Sequence, residues 1–520
     1  GLPSGEMPQP TSGGSKPAPV GENFGEIELG GQTPGEISTE GAMDPTPVPL
    51  SDSRRPPNRA RQSRTRPPSQ QTPRRSPWPT AIALIILLFA TGLGLGLTRY
   101  GLFGFYFFEQ LRPEAGSPAQ TAQVVKNAEN QALPDTYPAV RESLQTLSVA
   151  RQATGLNLDL LVRSLLHESL YQLRFGGDSE SGRSAVAILA RVQKRAPDHP
   201  GLNMARAADL GRRGQVSEAL RLAGTSPATA DPIANLVRGE LLLLANKVAQ
   251  ASSAFQQALD MGAGARGHWG MARALQRAGK TAEAIAAAQA TLSLSPSHSD
   301  ATVMLARHNL DLGKLETALD QANMVALQKT VDGARLRPTK RASAMAWQVV
   351  GQVEERLGHL HKARDAFGHA LSRDSTSLSA LLGSGRALQS LQHWREALAR
   401  FQSARDVAEN TKVPELRQRA LLEASLGASQ IMIKLERAKE AFDLLRSREA
   451  QHREDAQLQL WLGNACRALD RREQAEAYFR RSIERAPDRF EGYLALSNLL
   501  VAMQRTEEAA EVADLAKQHV

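Results

Sequence analysis

One interval recurs along this chain and limits what it can fold into: a small residue, a second twelve positions later, an aromatic four beyond that, and a third small residue after three more. "WQVVGQVEERLGHLHKARDAFGHAL" supplies Gly351, Ala363, Phe367 and Ala370. "GSGRALQSLQHWREALARFQSAR" supplies Gly385, Ala397, Phe401 and Ala404 at the same offsets. Gly239, Ala251, Phe255 and Ala258 form a third set, and Gly463, Ala475, Phe479 and Ser482 a fourth, closed by Pro487.

Spacings of three and four put the later three side chains on one face of a helix, where small residues admit a neighbouring backbone and the ring fills the gap beside them. The leading glycine sits in a helix of its own, where its one use is to let that neighbour come close. Each block therefore reads as a helical hairpin. Weaker copies carry alanine in place of glycine or ring: Ala207, Ala219 and Ala223; Ala272, Ala284 and Ala288; Ala306, Ala318 and Ala322. Tyr493, Leu496, Ser497, Ala509, Ala513 and Ala516 make the last copy, Ala438 and Phe442 mark one with a displaced first helix, and Ala185, Leu189 and Pro197 a degenerate one.

This pattern resembles the tetratricopeptide repeat, a helix-turn-helix unit of about 34 residues, and Pro487 stands where that family closes its second helix. The resemblance implies an all-α solenoid of about ten repeats over residues 160–520, with first helices lining a concave face. "ALQKTVDGARLRPTKRAS", residues 326–343, breaks the period and is expected to be a loop insertion. Aromatics make up 5% of the chain, so the core must rest on alanine and leucine between closely spaced helices.

Residues 1–77 are rich in Pro, Gly, Ser and Arg and lack apolar periodicity, so they are expected to form a disordered tail. Residues 78–98, "WPTAIALIILLFATGLGLGLT", carry no ionisable side chain, long enough on sequence to cross a hydrocarbon core of about 30 Å. Arginines crowd the preceding stretch 54–75, and the positive-inside rule then predicts an inner-membrane, single-pass protein with a cytoplasmic N-terminus and periplasmic repeats. The same position beside the membrane explains the arginines without nucleic acid. Gly92 and Gly96 form a GxxxG pair that would join two such helices into a homodimer. Residues 99–159 are expected to be a juxtamembrane linker with irregular helices.

Chemistry is hard to find in this sequence. "GAGARG", residues 262–267, has dinucleotide-loop spacing but follows a helix rather than the strand that motif requires. His359 and His361, or His298 and His308, lack metal-ligand spacing. No nucleophile elbow or paired-acid arrangement is present, so neither catalysis, cofactor nor metal is expected. The lone Cys466 has no partner for a disulfide.

What remains is binding. The polar residues expected on the concave face are Gln348, Gln352, Glu355, Arg386, Gln389, Asn464, Arg467 and Asn498. One repeat subclass grips a terminal carboxylate with lysine and asparagine; Asn464 fits, but Leu460 and Ala495 stand where its other ligands belong. In the tail, "NFGEIELGG" offers Phe24, Ile27 and Leu29 as a short docking motif, and it resembles acidic segments in the tails of some myxobacterial membrane proteins. The expectation is a non-catalytic protein-binding scaffold for an envelope machine serving motility, pilus assembly, secretion or polysaccharide export. The alternatives are a periplasmic holdase, resembling repeat proteins that accompany the secretion translocon, and a cytoplasmic-facing regulator of envelope biogenesis.

Overall fold

The computed structural model describes residues 78–97, 118–154, 157–176, 179–225 and 231–519. Two compact units divide the chain, 1–80 and 81–520. Apart from the start of the first helix, unit 1–80 lies outside the described residues, and with it the docking motif Phe24, Ile27 and Leu29.

Helix α1 spans Trp78–Leu97. Its described side chains, residues 82–91, are all exposed. Among the described residues no helix is long and apolar enough to cross a membrane. This overturns the inner-membrane, single-pass placement and the cytoplasmic-to-periplasmic topology built on it. Gly92 and Gly96 fall beyond the described side chains of α1, so their pairing lies outside the described residues.

After α1 come α2 (Pro118–Ala132) and α3 (Tyr137–Thr154). Where irregular helices were expected, these two are regular and pack as a hairpin, burying Ala128, Ala132, Val140, Leu144 and Leu147.

Ten further antiparallel hairpins follow among the described residues. They pair α4 (Leu158–Phe175) with α5 (Ser179–Arg195), α6 (Pro200–Arg212) with α7 (Val216–Thr225), and α8 (Pro232–Leu244) with α9 (Val248–Asp260). Next come α10 (Ala265–Arg277) with α11 (Thr281–Leu294), α12 (Ser299–Asp311) with α13 (Leu315–Ala326), and α14 (Lys340–Arg356) with α15 (Leu360–Arg373). The stack closes with α16 (Leu378–Ser390) and α17 (Trp394–Glu409), α18 (Pro414–Lys434) and α19 (Ala438–Glu449), α20 (Ala456–Ala468) and α21 (Arg472–Arg485), and α22 (Phe490–Ala502) and α23 (Thr506–His519). The chain is an all-α repeat solenoid, as its periodicity implied.

Inside each hairpin the reversal needs one residue in the left-handed region, a conformation glycine adopts without strain. Gly279 and Gly358 hold it with φ of 76° and 77°, whereas Gln392 and Asp470 hold it at 62° and 55°. Four phenylalanines lock the hairpins from within. Phe255, Phe367, Phe401 and Phe479 are each at most 1% exposed. A Cβ built on Gly239, Gly351, Gly385 or Gly463 would stand 2.5, 2.7, 2.9 and 2.5 Å from the corresponding ring. Three of these rings also meet a glycine of the next hairpin: Gly270 on Phe255, Gly383 on Phe367 and Gly427 on Phe401, each with a Cβ distance of 2.4 Å. Those rings lie between two bare backbones, and burying each contributes on the order of 1.5–3 kcal/mol.

In the displaced copy, Ala441 and Leu445 of α19 are fully buried and Phe442 lies at the edge under Arg446 and Arg471. The insertion, expected over 326–343, occupies 327–339 between α13 and α14 and folds into a ribbon, β1 (Thr330–Val331) antiparallel to β2 (Ala334–Arg335). Asp332 and Gly333 take φ of 47° and 76° at its tip, the two positive values that a two-residue hairpin turn demands. Leu336, 1% exposed, anchors it.

Candidate partner-binding groove

Most successive first helices pack against one another, while second helices contact chiefly their neighbouring first helices. The first helices therefore lie side by side along one face of the stack. Polar side chains on that face tie the hairpins together. Arg386 of α16 donates to both carboxylate oxygens of Glu355 on α14, at 2.7 and 3.0 Å, and to Glu423 on α18 at 2.5 Å. Gln389 donates to Gln430 at 2.6 Å, and Arg356 donates to the Leu310 carbonyl of α12 at 2.6 Å. Further toward the N-terminus, Arg273 of α10 holds Glu240 of α8.

The expected face residues thus fall into two sets. Glu355, Arg386 and Gln389 engage one another or α18 across helix boundaries. Gln348 is buried and accepts from Ser377 at 3.4 Å. Arg467 donates to Asn464 within α20 at 3.0 Å and is exposed. Gln352 is half-buried and Asn498 exposed. Burial alone would lower the Arg386 pKa, but the hydrogen bonds and charge of Glu355, seconded by Glu423, outweigh it and raise the value. The guanidinium stays charged and its geometry is bidentate, the stronger form of such a pair. Glu423 and Gln430 were not legible in the sequence, because α18 is longer than its neighbours and shifts the repeat register.

At the N-terminal end the groove is filled by the chain itself. Helix α4 packs against α6 and α8, and it is buried around nearly its whole circumference from Leu160 to Gln172. A Cβ on Gly201, at the start of α6, would lie 2.5 Å from Val162; one on Gly211, at its end, would lie 3.8 Å from Leu173. Both ends of α4 carry an arginine that reaches further along the stack. Arg163 meets Asp231, the N-cap of α8, at 2.8 Å. Arg174 meets Asp300 at the start of α12 at 3.4 Å and lies 5.5 Å from the Trp269 ring of α10.

The turn between α2 and α3 closes the same end. Its Asp135 lies 3.5 Å from Arg174 and 3.4 Å from Nε2 of His298. Nδ1 of His298 accepts the Ala301 N–H at 3.1 Å, so the remaining proton sits on Nε2 and is donated to Asp135. Arg266 of α10, buried, donates to the Ala132 carbonyl at 2.7 Å. Burial pushes the Asp135 carboxyl up, but Arg174 and then the His298 hydrogen bond overcome it and bring the pKa down to about 2. His167, buried in α4, is driven well below the usual imidazole range, first by burial and then by Arg266 and Arg163. Nothing local signalled this seat: "LLVRSLLHESLYQL" has an apolar and a polar stripe at helical spacing, yet the polar Ser164, His167, Glu168 and Gln172 are buried as well.

Models of the tetratricopeptide repeat match residues 270–333 and 456–489. Among solved structures, MamA from Desulfovibrio magneticus RS-1 is 18% identical over 34% of this chain and 93% of its own, with a TM-score of 0.29. YrrB, described as a repeat protein with an unusual peptide-binding site, is 18% identical over 33% of this chain and 84% of its own, with a TM-score of 0.26. The apo quorum sensor NprR from B. thuringiensis is 14% identical over 63% and 99%, with a TM-score of 0.46. No curated protein sequence matches the chain. The chain carries tetratricopeptide repeats.

Proposed function

We propose that this repeat chain is a non-catalytic scaffold that holds a protein partner in the stretch of groove from α14 to α22. The observation that carries the proposal is the division of the groove. Its N-terminal stretch is covered by α4 and the α2–α3 turn, while half-buried and exposed polar side chains such as Gln352, Asn464 and Asn498 line the first helices further on. A role in an envelope machine depended on a membrane anchor, and only the scaffold is carried forward.

The test is photo-cross-linking from a benzoyl-phenylalanine placed at Gln352 in the groove or at Gln402, exposed on α17. Discrete protein adducts from Gln352 and none from Gln402 are expected. Equal adducts from both positions, or none from either, would overturn the scaffold reading.

A further inference from the structure

Resting on that reading, we infer the class of partner: an amphipathic α-helix bearing an apolar stripe and a flanking carboxylate, seated on the row Phe490, Leu494, Asn498 and Val501 of α22. These residues are spaced by four, four and three, so they share one face. Phe490, Leu494 and Val501 are 52%, 46% and 55% exposed, an unusual state for three large apolar side chains aligned on one helix.

The molecule shows what such a row takes. When the small residues Ala207 and Ser497 are set equivalent, Met204, Ala208 and Gly211 of α6 correspond to Leu494, Asn498 and Val501 of α22. In α6 that face is enclosed: α4 packs along the helix, with Val162 against Gly201 one place beside the row, Gly211 lies nearest Leu241 of α8 and then Leu173 of α4, and Met204 and Ala208 are each 2% exposed. The two rows hold equivalent places on their own first helices, and the first of them is occupied. Electrostatics supplies the rest of the description. The seated helix α4 brings arginines that meet carboxylates of the first helices, Asp231 and Asp300. Beside the α22 row the adjoining α20 presents an exposed arginine, Arg467, hydrogen-bonded to neutral Asn464, so the complementary helix carries a carboxylate there. The smaller, glycine-lined row of α6 admits a close approach, whereas the larger side chains of α22 would hold their helix farther out and leave it exchangeable.

The probe is a fluorescent 18-residue model helix with leucines at i, i+4, i+7 and i+11 and glutamate at the edge of the stripe, beside a twin with lysine in its place. Fluorescence anisotropy with the full chain should show saturable binding of the glutamate helix. Leu494→Asp and the milder Leu494→Ser should each weaken it, the former at least tenfold, and Arg467→Glu should reverse the preference toward the lysine twin. Both positions are exposed, and unchanged circular dichroism verifies that the variants fold. Equal binding of the two peptides, indifference to Leu494→Asp, or no binding overturns the inference. If Gln352 still cross-links while the peptides fail, the scaffold stands and the helix seat falls; if both fail, both fall.

Discussion

Gly383 of α16 lies so close to Phe367 of α15 that a Cβ on the glycine would stand 2.4 Å from the ring's Cζ. The ring cannot retreat, because Gly351 closes its other side at 2.7 Å. Alanine at Gly383 should gain up to about 1 kcal/mol of helix propensity and lose about 1–3 kcal/mol to overpacking. Gly368, in the middle of α15, has nothing within 4 Å of the point where an added methyl would sit. Urea denaturation should therefore place Gly383→Ala below the parent and Gly368→Ala above it.

Acid should loosen the α2–α3 turn in a defined window. Asp135 has its folded pKa lowered from 3.8 to about 2, so its carboxylate contributes stability that is full above about pH 4 and is lost as pH falls toward 2. The contribution is about 2 kcal/mol at neutral pH. Stability of Asp135→Asn measured by denaturant from pH 6 down to pH 2 should fall less steeply than that of the parent; parallel curves would show that the pairing with Arg174 and His298 does not hold the turn.

The pair of Glu355 and Arg386 joins two hairpins at partial exposure, 22% and 41% of the side chains. Solvent screening limits such a pair, and a double-mutant cycle with Glu355→Gln and Arg386→Met should give a coupling of about 0.5–1 kcal/mol that shrinks in high salt. Because Arg386 also holds Glu423, Arg386→Met alone should cost more than Glu355→Gln alone.

Cys466 is fully buried in α20, and burial raises its thiol pKa, outweighing the opposing charge of Arg471. A thiol kept protonated and inaccessible is inert. Ellman's reagent should find less than a tenth of a thiol per chain within minutes under native conditions and a full equivalent in guanidinium. Rapid native labelling would mean that α20 opens locally.

Contacts inside a hairpin were legible because chain geometry fixes their spacing: Gly239 to Phe255, Gly351 to Phe367 and Gly463 to Phe479 are equal intervals. Contacts between hairpins have no such ruler. Gly270 meets Phe255 and Gly427 meets Phe401, yet the separations differ because the linkers and the lengths of α10 and α18 differ. For the same reason the self-filled end of the groove, with Arg174 reaching Asp300, could not be read from local periodicity. The candidate face was legible only as a set of positions. Which of them would pair with one another, as Arg386 does with Glu355, depended on side-chain reach across helices.

The double seating of Phe255, Phe367 and Phe401 bears on how this solenoid can be cut. A fragment ending after α15 would leave Phe367 with Gly351 on one side and water where Gly383 had been, so its new end would be sticky and its last hairpin weakened. Phe479 carries no such debt to a following glycine, and the stack can therefore be shortened from its N-terminal side to a block ending at His519 with its final ring still enclosed. Domain boundaries for dissection are better drawn by which rings a cut would strip than by where a repeat begins.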